Sequence, residues 1–219
     1  MRKALCVGID SYELEGVTYY FVDNERYFKR DKVYGEGDDC ERFTFFAKAI
    51  VETFYITGFE PDIIHCNDWH TGLVPIYLKE RGLNDIKTIF TIHNLRFQGF
   101  FFNNVIENTL EIDRNKYFQE DGIKYYDMIS FLKGGVVYSD FVTTVSDSYA
   151  EEIKTPFYGE KLDGLMCARA NSLRGIVNGI DYNVFNPETD PYITKTYNAT
   201  TFRKEKVKNK IQLQKDLGL

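Results

Sequence analysis

The stretch PDIIHCNDWHTGLVPIYL, residues 61–78, contains a strand, a polar turn and a helix in one short run. Asp62 to Cys66 is short and apolar and predicts a β-strand, while Thr71 to Glu80 has the spacing of an α-helix. The polar residues Asn67 to His70 therefore stand at the exit of the strand. A strand followed at once by a helix is the unit from which parallel sheets are built.

The same alternation continues along most of the chain. The sequence predicts further strands at Val17 to Val22, Lys87 to Ile92, Phe141 to Val145 and Leu173 to Val177, and further helices from near Asp38, over Ile129 to Val137, from Ser146 through Ile153 and over Thr201 to Leu217. This pattern predicts an α/β fold with a mainly parallel sheet and helices on both faces. We expect one domain over residues 1–190, followed by a connector and helix over 191–219.

The first long helix carries its own start and stop signals. Asp38 with Glu41 matches a capping box, and Gly58 and Pro61 are typical of a helix end. Apolar residues at helical spacing predict a buried stripe, made of Phe43, Phe46, Ala47, Ile50 and Phe54.

Composition excludes several classes of protein. The 219 residues are 43% apolar, enough for a sizeable core, and most of the abundant Tyr and Phe are expected in packing roles. The net charge of −6 argues against a nucleic-acid partner. Four cysteines without CxxC spacing, no signal peptide and no apolar run of roughly 20 residues predict a cytoplasmic protein that is not inserted in a membrane.

Polar side chains follow each predicted parallel strand. They are Asn67 to His70, then His93, Asn94 and Gln98, then Ser146 to Ser148, then Asn178 to Asp181. Ligands of open parallel sheets bind beyond the carboxyl ends of the strands, so these groups predict a site for a polar, polyhydroxylated ligand.

Each residue also has a purely structural interpretation. Asp68 and Ser146 are suited to capping the helices that follow them, and for Ser146 we favour the cap. Trp69 fits the core as well as a ligand site, and a lone His93 is often structural. His65, Cys66, Asp68 and His70 are chemically suited to a metal, but strand alternation separates His65 from Cys66.

Phosphate-binding and nucleophile motifs are missing from the sequence. It contains no GxGxxG loop, no Walker pattern and no GxSxG elbow. Gly134-Gly135 lies inside an apolar helical stretch, where it predicts close helix packing. The missing dinucleotide loop disfavours a Rossmann oxidoreductase.

The strings at residues 61–78, 88–101 (TIFTIHNLRFQGFF), 129–153 (ISFLKGGVVYSDFVTTVSDSYAEEI) and 175–190 (GIVNGIDYNVFNPETD) resemble bacterial glycogen synthases and plant starch synthases. Residues 34–49 and 155–165 resemble the same family. The resemblance implies most of the Rossmann-like, three-layer α/β/α N-terminal lobe of a two-lobed GT-B glycosyltransferase. It implies transfer of glucose from ADP-glucose to the non-reducing end of an α-1,4-glucan such as glycogen, with retained configuration and without a cofactor.

The resemblance also implies the roles of individual residues. It places His93 and Asp68 at the catalytic centre, and it assigns substrate contacts to Tyr34, Trp69, His70, Asn94, Gln98 and Asn178. Phe97 stands where many members have Tyr.

Some of the family's strings are missing from this sequence. We find neither the K-x-G-G-L loop nor the second-lobe groups that hold the diphosphate and nucleotide. We therefore expect a truncated lobe, inactive alone, that self-associates through surfaces exposed by truncation. The alternative is a non-catalytic glucan-binding module.

Overall fold

The structure is a computed structural model that describes residues 6–219. The chain forms two compact units, the first reaching to Val177 and the second covering Asn178–Leu219. The domain boundary predicted at residue 190 stays a prediction.

Strands and helices alternate in the described part of the chain. The strands are β1 (Gly8–Leu14), β2 (Val17–Asp23), β3 (Ile63–Asn67), β4 (Lys87–Ile92), β5 (Phe100–Phe102), β6 (Lys124–Tyr125), β7 (Met128–Ser130), β8 (Phe141–Thr144) and β9 (Leu173–Gly175). The helices are α1 (Glu25–Phe28), α2 (Asp39–Thr57), α3 (Val74–Glu80), α4 (Arg114–Tyr117), α5 (Phe131–Tyr138), α6 (Asp147–Glu152), α7 (Asp163–Ala168) and α8 (Phe202–Asp216). Only α8 lies in the second unit. Within residues 6–219, no helix combines the length and apolar character needed to cross a lipid bilayer.

The central sheet is wholly parallel, as the alternation predicts. Its strand order is β3-β4-β8-β9. The register aligns Cys66, Phe90, Val142 and Leu173 in one row across the sheet, and all four side chains are buried. This row is part of the hydrophobic core. Its packing fixes the strands relative to one another without any contribution from the polar residues at the strand exits.

Helix α2 confirms the predicted apolar stripe but not the capping box. The stripe packs into or against the core, and Gly58 ends the helix in a left-handed conformation. The Asp38 side chain makes no cap hydrogen bond and instead pairs with Arg30, while Glu41 accepts a hydrogen bond from Tyr27. The prediction of a capping box was therefore wrong, because a charged guanidinium competes better for a carboxylate than a neutral backbone N–H does.

The predicted strand at Val17 to Val22 exists, but it lies outside the parallel sheet. It pairs antiparallel with β1 in a hairpin that the sequence analysis missed. Glu15 and Gly16, the two turn residues, both have positive φ, as a tight hairpin turn requires. This strand therefore belongs to a separate two-stranded sheet, because a two-residue turn can join only antiparallel neighbours.

The helix predicted over Ile129 to Val137 begins later than expected. Met128–Ser130 is the central strand of a small antiparallel sheet with order β5-β7-β6, and the helix starts at Phe131. The Ser130 side chain caps it by accepting the N–H of Lys133. Close packing at Gly135 is confirmed, since a Cβ there would lie 2.2 Å from the buried ring of Phe90.

This contact predicts the effect of adding one methyl group. Gly135→Ala forces the Phe90 ring out of the central row, so we expect a loss of about 1–3 kcal/mol in the free energy of unfolding, measured in urea. Gly164→Ala is the matched control, because it adds the same methyl to helix α7 where no atom lies within 4 Å. Equal stabilities of the two variants would contradict the prediction.

Candidate functional site

The exit of β3 is built around a strained aspartate. Asp68 has φ 55° and ψ −179°, a region in which residues other than glycine are rare. Its N–H donates to the carbonyl of Thr91 at 2.9 Å, and its carboxylate accepts the backbone N–H of His93 at 2.9 Å. Its side chain makes no helix-cap hydrogen bond, so the capping interpretation of Asp68 was wrong. The aspartate instead joins the ends of β3 and β4.

His93 lies at the exit of β4 with an exposed side chain. Its Nε2 is 3.0 Å from the side-chain oxygen of Asn67, the last residue of β3. The amide fixes the orientation of the imidazole ring while leaving both groups at the surface. Asn67 was not among the predicted site residues, although its position at a strand exit was a usable signal.

A row of polar side chains links the three strands below these exits. His65 Nε2 lies 2.6 Å from the hydroxyl of Thr91, which lies 2.6 Å from the hydroxyl of Thr143. The hydroxyl of Tyr149 on α6 accepts the N–H of Leu95, the residue just after the β4 exit. In residues 6–219, no group of three or more His, Cys, Asp or Glu side chains is arranged to hold a metal.

Trp69 belongs to the hydrophobic core. It is 5% exposed, stacks on His70 with ring centroids 4.1 Å apart, and meets Phe43 edge to face. Gly99 lets the next loop pass against the indole, because a Cβ there would lie 2.4 Å from the Trp69 ring. The core interpretation of Trp69 is therefore confirmed, and the packed indole forms the floor of the site.

A cleft of about 130 Å³ opens above this floor. Its lining comes from the loops after β3 and β4 and from the segment before α2, and consists of Tyr34, Asp68, Trp69, His70, Asn94 and Phe97. Ligand pockets usually enclose roughly 300–1,000 Å³, so this cleft is one wall of a site. The structure thus brings five predicted residues to the cleft, with His93 beside Asp68.

Three predicted polar residues have other surroundings. Gln98 is buried, and its amide donates to the carbonyl of Glu160 at 3.1 Å, so it holds a loop. Ser146 caps α6 by accepting the N–H of Tyr149, which confirms the cap. Asn178 is the first residue of the second unit, so its place at the sugar site stays a prediction.

A larger cavity of about 920 Å³ lies between α2, α3 and the segment around residue 109. None of the predicted site residues lines it. Its charged groups are already paired, as in Lys48 with Glu111 and Arg81 with Glu52. We therefore place the candidate site at the smaller cleft, where polar side chains face solvent beside a strained backbone.

Comparison with known proteins decides the family. Residues 2–168 match the starch synthase catalytic domain. The chain belongs to the starch synthase catalytic domain family. This membership confirms the resemblance, and the strings that form the Asp68–His93 junction lie inside the matched region.

Relatives in this family are named glycogen synthases. The protein of Fusobacterium nucleatum subsp. nucleatum is 77% identical over 175 residues, which cover 80% of this chain and 38% of that protein. The protein of Lachnospira eligens is 56% identical over 97% of this chain and 46% of its own length. The chain thus spans less than half the length of the curated relatives it matches.

A solved structure shows the same fold. The catalytic domain of Starch Synthase IV from Arabidopsis thaliana, bound to ADP and acarbose, aligns with a TM-score of 0.79 and 33% identity. The alignment covers 97% of this chain and 45% of that one. The likeness confirms the Rossmann-like α/β fold of a GT-B N-terminal lobe.

Within this family fold, the environment of the cleft shifts the pKa of His70. Burial lowers the pKa of His70 below its ordinary value of 6.5; nearby Asp68 and Asp39 oppose the shift, and Arg42 adds to it. The buried Nε2 of this ring has no hydrogen-bond partner among the described residues, so no hydrogen bond stabilises a proton placed there.

The lowered pKa of His70 predicts a pH-dependent stability. Between the folded-state pKa and 6.5 the unfolded chain binds the proton more strongly, so stability falls as pH drops through this window. We expect the free energy of unfolding to fall more for the wild type than for His70→Gln between about pH 7.5 and about pH 5. Urea unfolding across this pH range measures the free energy of unfolding of both proteins. Equal losses in the wild type and in His70→Gln would contradict the role given to His70.

Proposed function

We propose that this chain supplies the glucose-facing wall of a glycogen or starch synthase. The whole enzyme transfers glucose from ADP-glucose to the non-reducing end of an α-1,4-glucan, with retention of configuration. The observation that carries the proposal is the family match over residues 2–168, because it contains both halves of the Asp68–His93 junction. The ADP and acarbose held by the Arabidopsis catalytic domain support the two ligand classes.

The chemistry of the cleft suits glycosyl transfer. Such a reaction passes through an oxocarbenium-like state, so its rate depends on groups held rigidly against the sugar ring. His93 and Asn94 offer an imidazole and an amide, which pair with hydroxyl groups. The carboxylate of Asp68 is the charged group at this wall, and its bond to His93 keeps it in place.

We assign His93 and Asp68 to the catalytic centre and Tyr34, His70, Asn94 and Asn178 to substrate binding. Trp69 and Gln98 act in this proposal by supporting the site, because both are buried. The nucleotide sugar is a substrate, and the proposal includes no separate cofactor. Transfer belongs to the whole enzyme, and we expect the 219-residue chain to bind glucan without transferring glucose.

A chimera tests the enzymatic role. The 175 matched residues of this chain would replace the corresponding segment of the Fusobacterium nucleatum protein, to which they are 77% identical. We expect the chimera to incorporate radiolabelled glucose from ADP-glucose into glycogen. His93→Ala should lower the rate about 100-fold, since it removes a preorganised polar group from the reacting sugar.

Gly164→Ala in the same chimera is the control, because this residue lies in α7 with open space around it. It should keep the rate of the parent chimera. A folded chimera that binds maltohexaose but incorporates no glucose would favour the non-catalytic module. Full activity of His93→Ala would remove His93 from the catalytic centre.

A further inference from the structure

Tyr34 reaches the cleft from a segment without regular secondary structure. Its ring centroid lies 5.3 Å from that of His70 and 6.4 Å from that of Trp69. The side chain is about half exposed, so packing alone does not hold it. The backbone of residues 33–36 must therefore be fixed by other contacts.

Asp39, the first residue of α2, provides two of those contacts. Its carboxylate accepts the N–H of Gly35 at 2.6 Å and the N–H of Glu36 at 3.2 Å. These are the two residues that directly follow Tyr34. The aspartate is only 6% exposed, so its bonds are shielded from water.

Arg42, one turn further along α2, holds the backbone on the N-terminal side of Tyr34. One guanidinium nitrogen donates to the second carboxylate oxygen of Asp39 at 3.0 Å, and another donates to the carbonyl of Val33 at 2.7 Å. Its guanidinium lies over the ring of Phe43, with 5.0 Å between Cζ and the centroid. Phe43 in turn packs against both His70 and Trp69.

The location of this pair argues for a role beyond stability. The Asp39 and Arg42 side chains are 8% and 4% exposed, and burying two charges costs about as much as their attraction returns. Apolar residues would fill the same volume at similar stability. What they cannot do is hold three backbone positions, at residues 33, 35 and 36, on both sides of Tyr34.

We propose that Asp39 and Arg42 are positioning residues that fix the segment 33–36 and thereby hold the Tyr34 ring against His70 at the cleft. Neither side chain lines the cleft, so both act through Tyr34. The consequence for sugar binding rests on the proposed function. The consequence for the segment itself does not.

Hydrogen exchange of the Gly35 and Glu36 amides tests the structural part without a ligand. Arg42→Lys keeps the charge but lacks the planar fork that reaches both partners, so we expect exchange about tenfold faster at both amides. Asp39→Asn should do the same and serves if Arg42→Lys fails to fold. Lys48→Met on the same helix, which breaks a pair away from the cleft, should leave both amides unchanged. Unchanged exchange in a folded Arg42→Lys would overturn the proposal.

A double-mutant cycle tests whether Arg42 acts through Tyr34. Fluorescence of Trp69, the single tryptophan of the chain, reports maltohexaose binding at the cleft. In the chain that keeps Tyr34, Arg42→Lys should weaken maltohexaose binding about tenfold. In the Tyr34→Ala variant, adding Arg42→Lys should have no further effect on binding. Additive losses would show a general structural role and contradict positioning. Failure of the wild type to bind maltohexaose would count against the proposed function alone, because the exchange experiment still decides the positioning role.

Discussion

The hydrogen bond from the His93 N–H to the Asp68 carboxylate is the interaction on which the site depends. It joins the exits of two neighbouring strands, β3 and β4. The two bonded residues are 25 positions apart in sequence. Asp68 forms it in a backbone conformation that costs about 1–3 kcal/mol, and its own N–H bond to Thr91 helps to offset that cost. A strained residue that is locked from both sides at a ligand-facing edge is typical of a functional position.

Two rigid parts support that junction. Below it, the buried row from Cys66 to Leu173 and the contact of Gly135 with Phe90 set the spacing of the strands. Beside it, the indole of Trp69 packs in the core and carries His70 on its face. The cleft is therefore a rigid wall, and the segment with Tyr34 is the part that needs a separate anchor.

Local rules predicted the parts of the fold whose partners are close in sequence. The strand Lys87–Ile92, the stripe of α2, the end of α2 at Gly58 and the Ser146 cap all follow from composition and spacing within one element. The position of polar residues after parallel strands likewise predicted that Asp68 and His93 lie at the same edge of the sheet.

The errors arose where a distant side chain decided the outcome. Asp38 pairs with Arg30 instead of capping α2. The substrate contact expected of Gln98 stays a prediction, and its amide bonds the carbonyl of Glu160. The sequence gives no sign that Asp39 and Arg42 hold the segment with Tyr34, because their bonds go to backbone atoms, which every residue carries.

The most direct test is a titration of the isotope-labelled chain with maltohexaose, followed by backbone amide chemical shifts. The account predicts the largest changes at residues 67–70 and 93–97 and at Tyr34. Changes confined to Lys48, Glu52 and Arg81 around the larger cavity, with residues 67–70 unmoved, would contradict it.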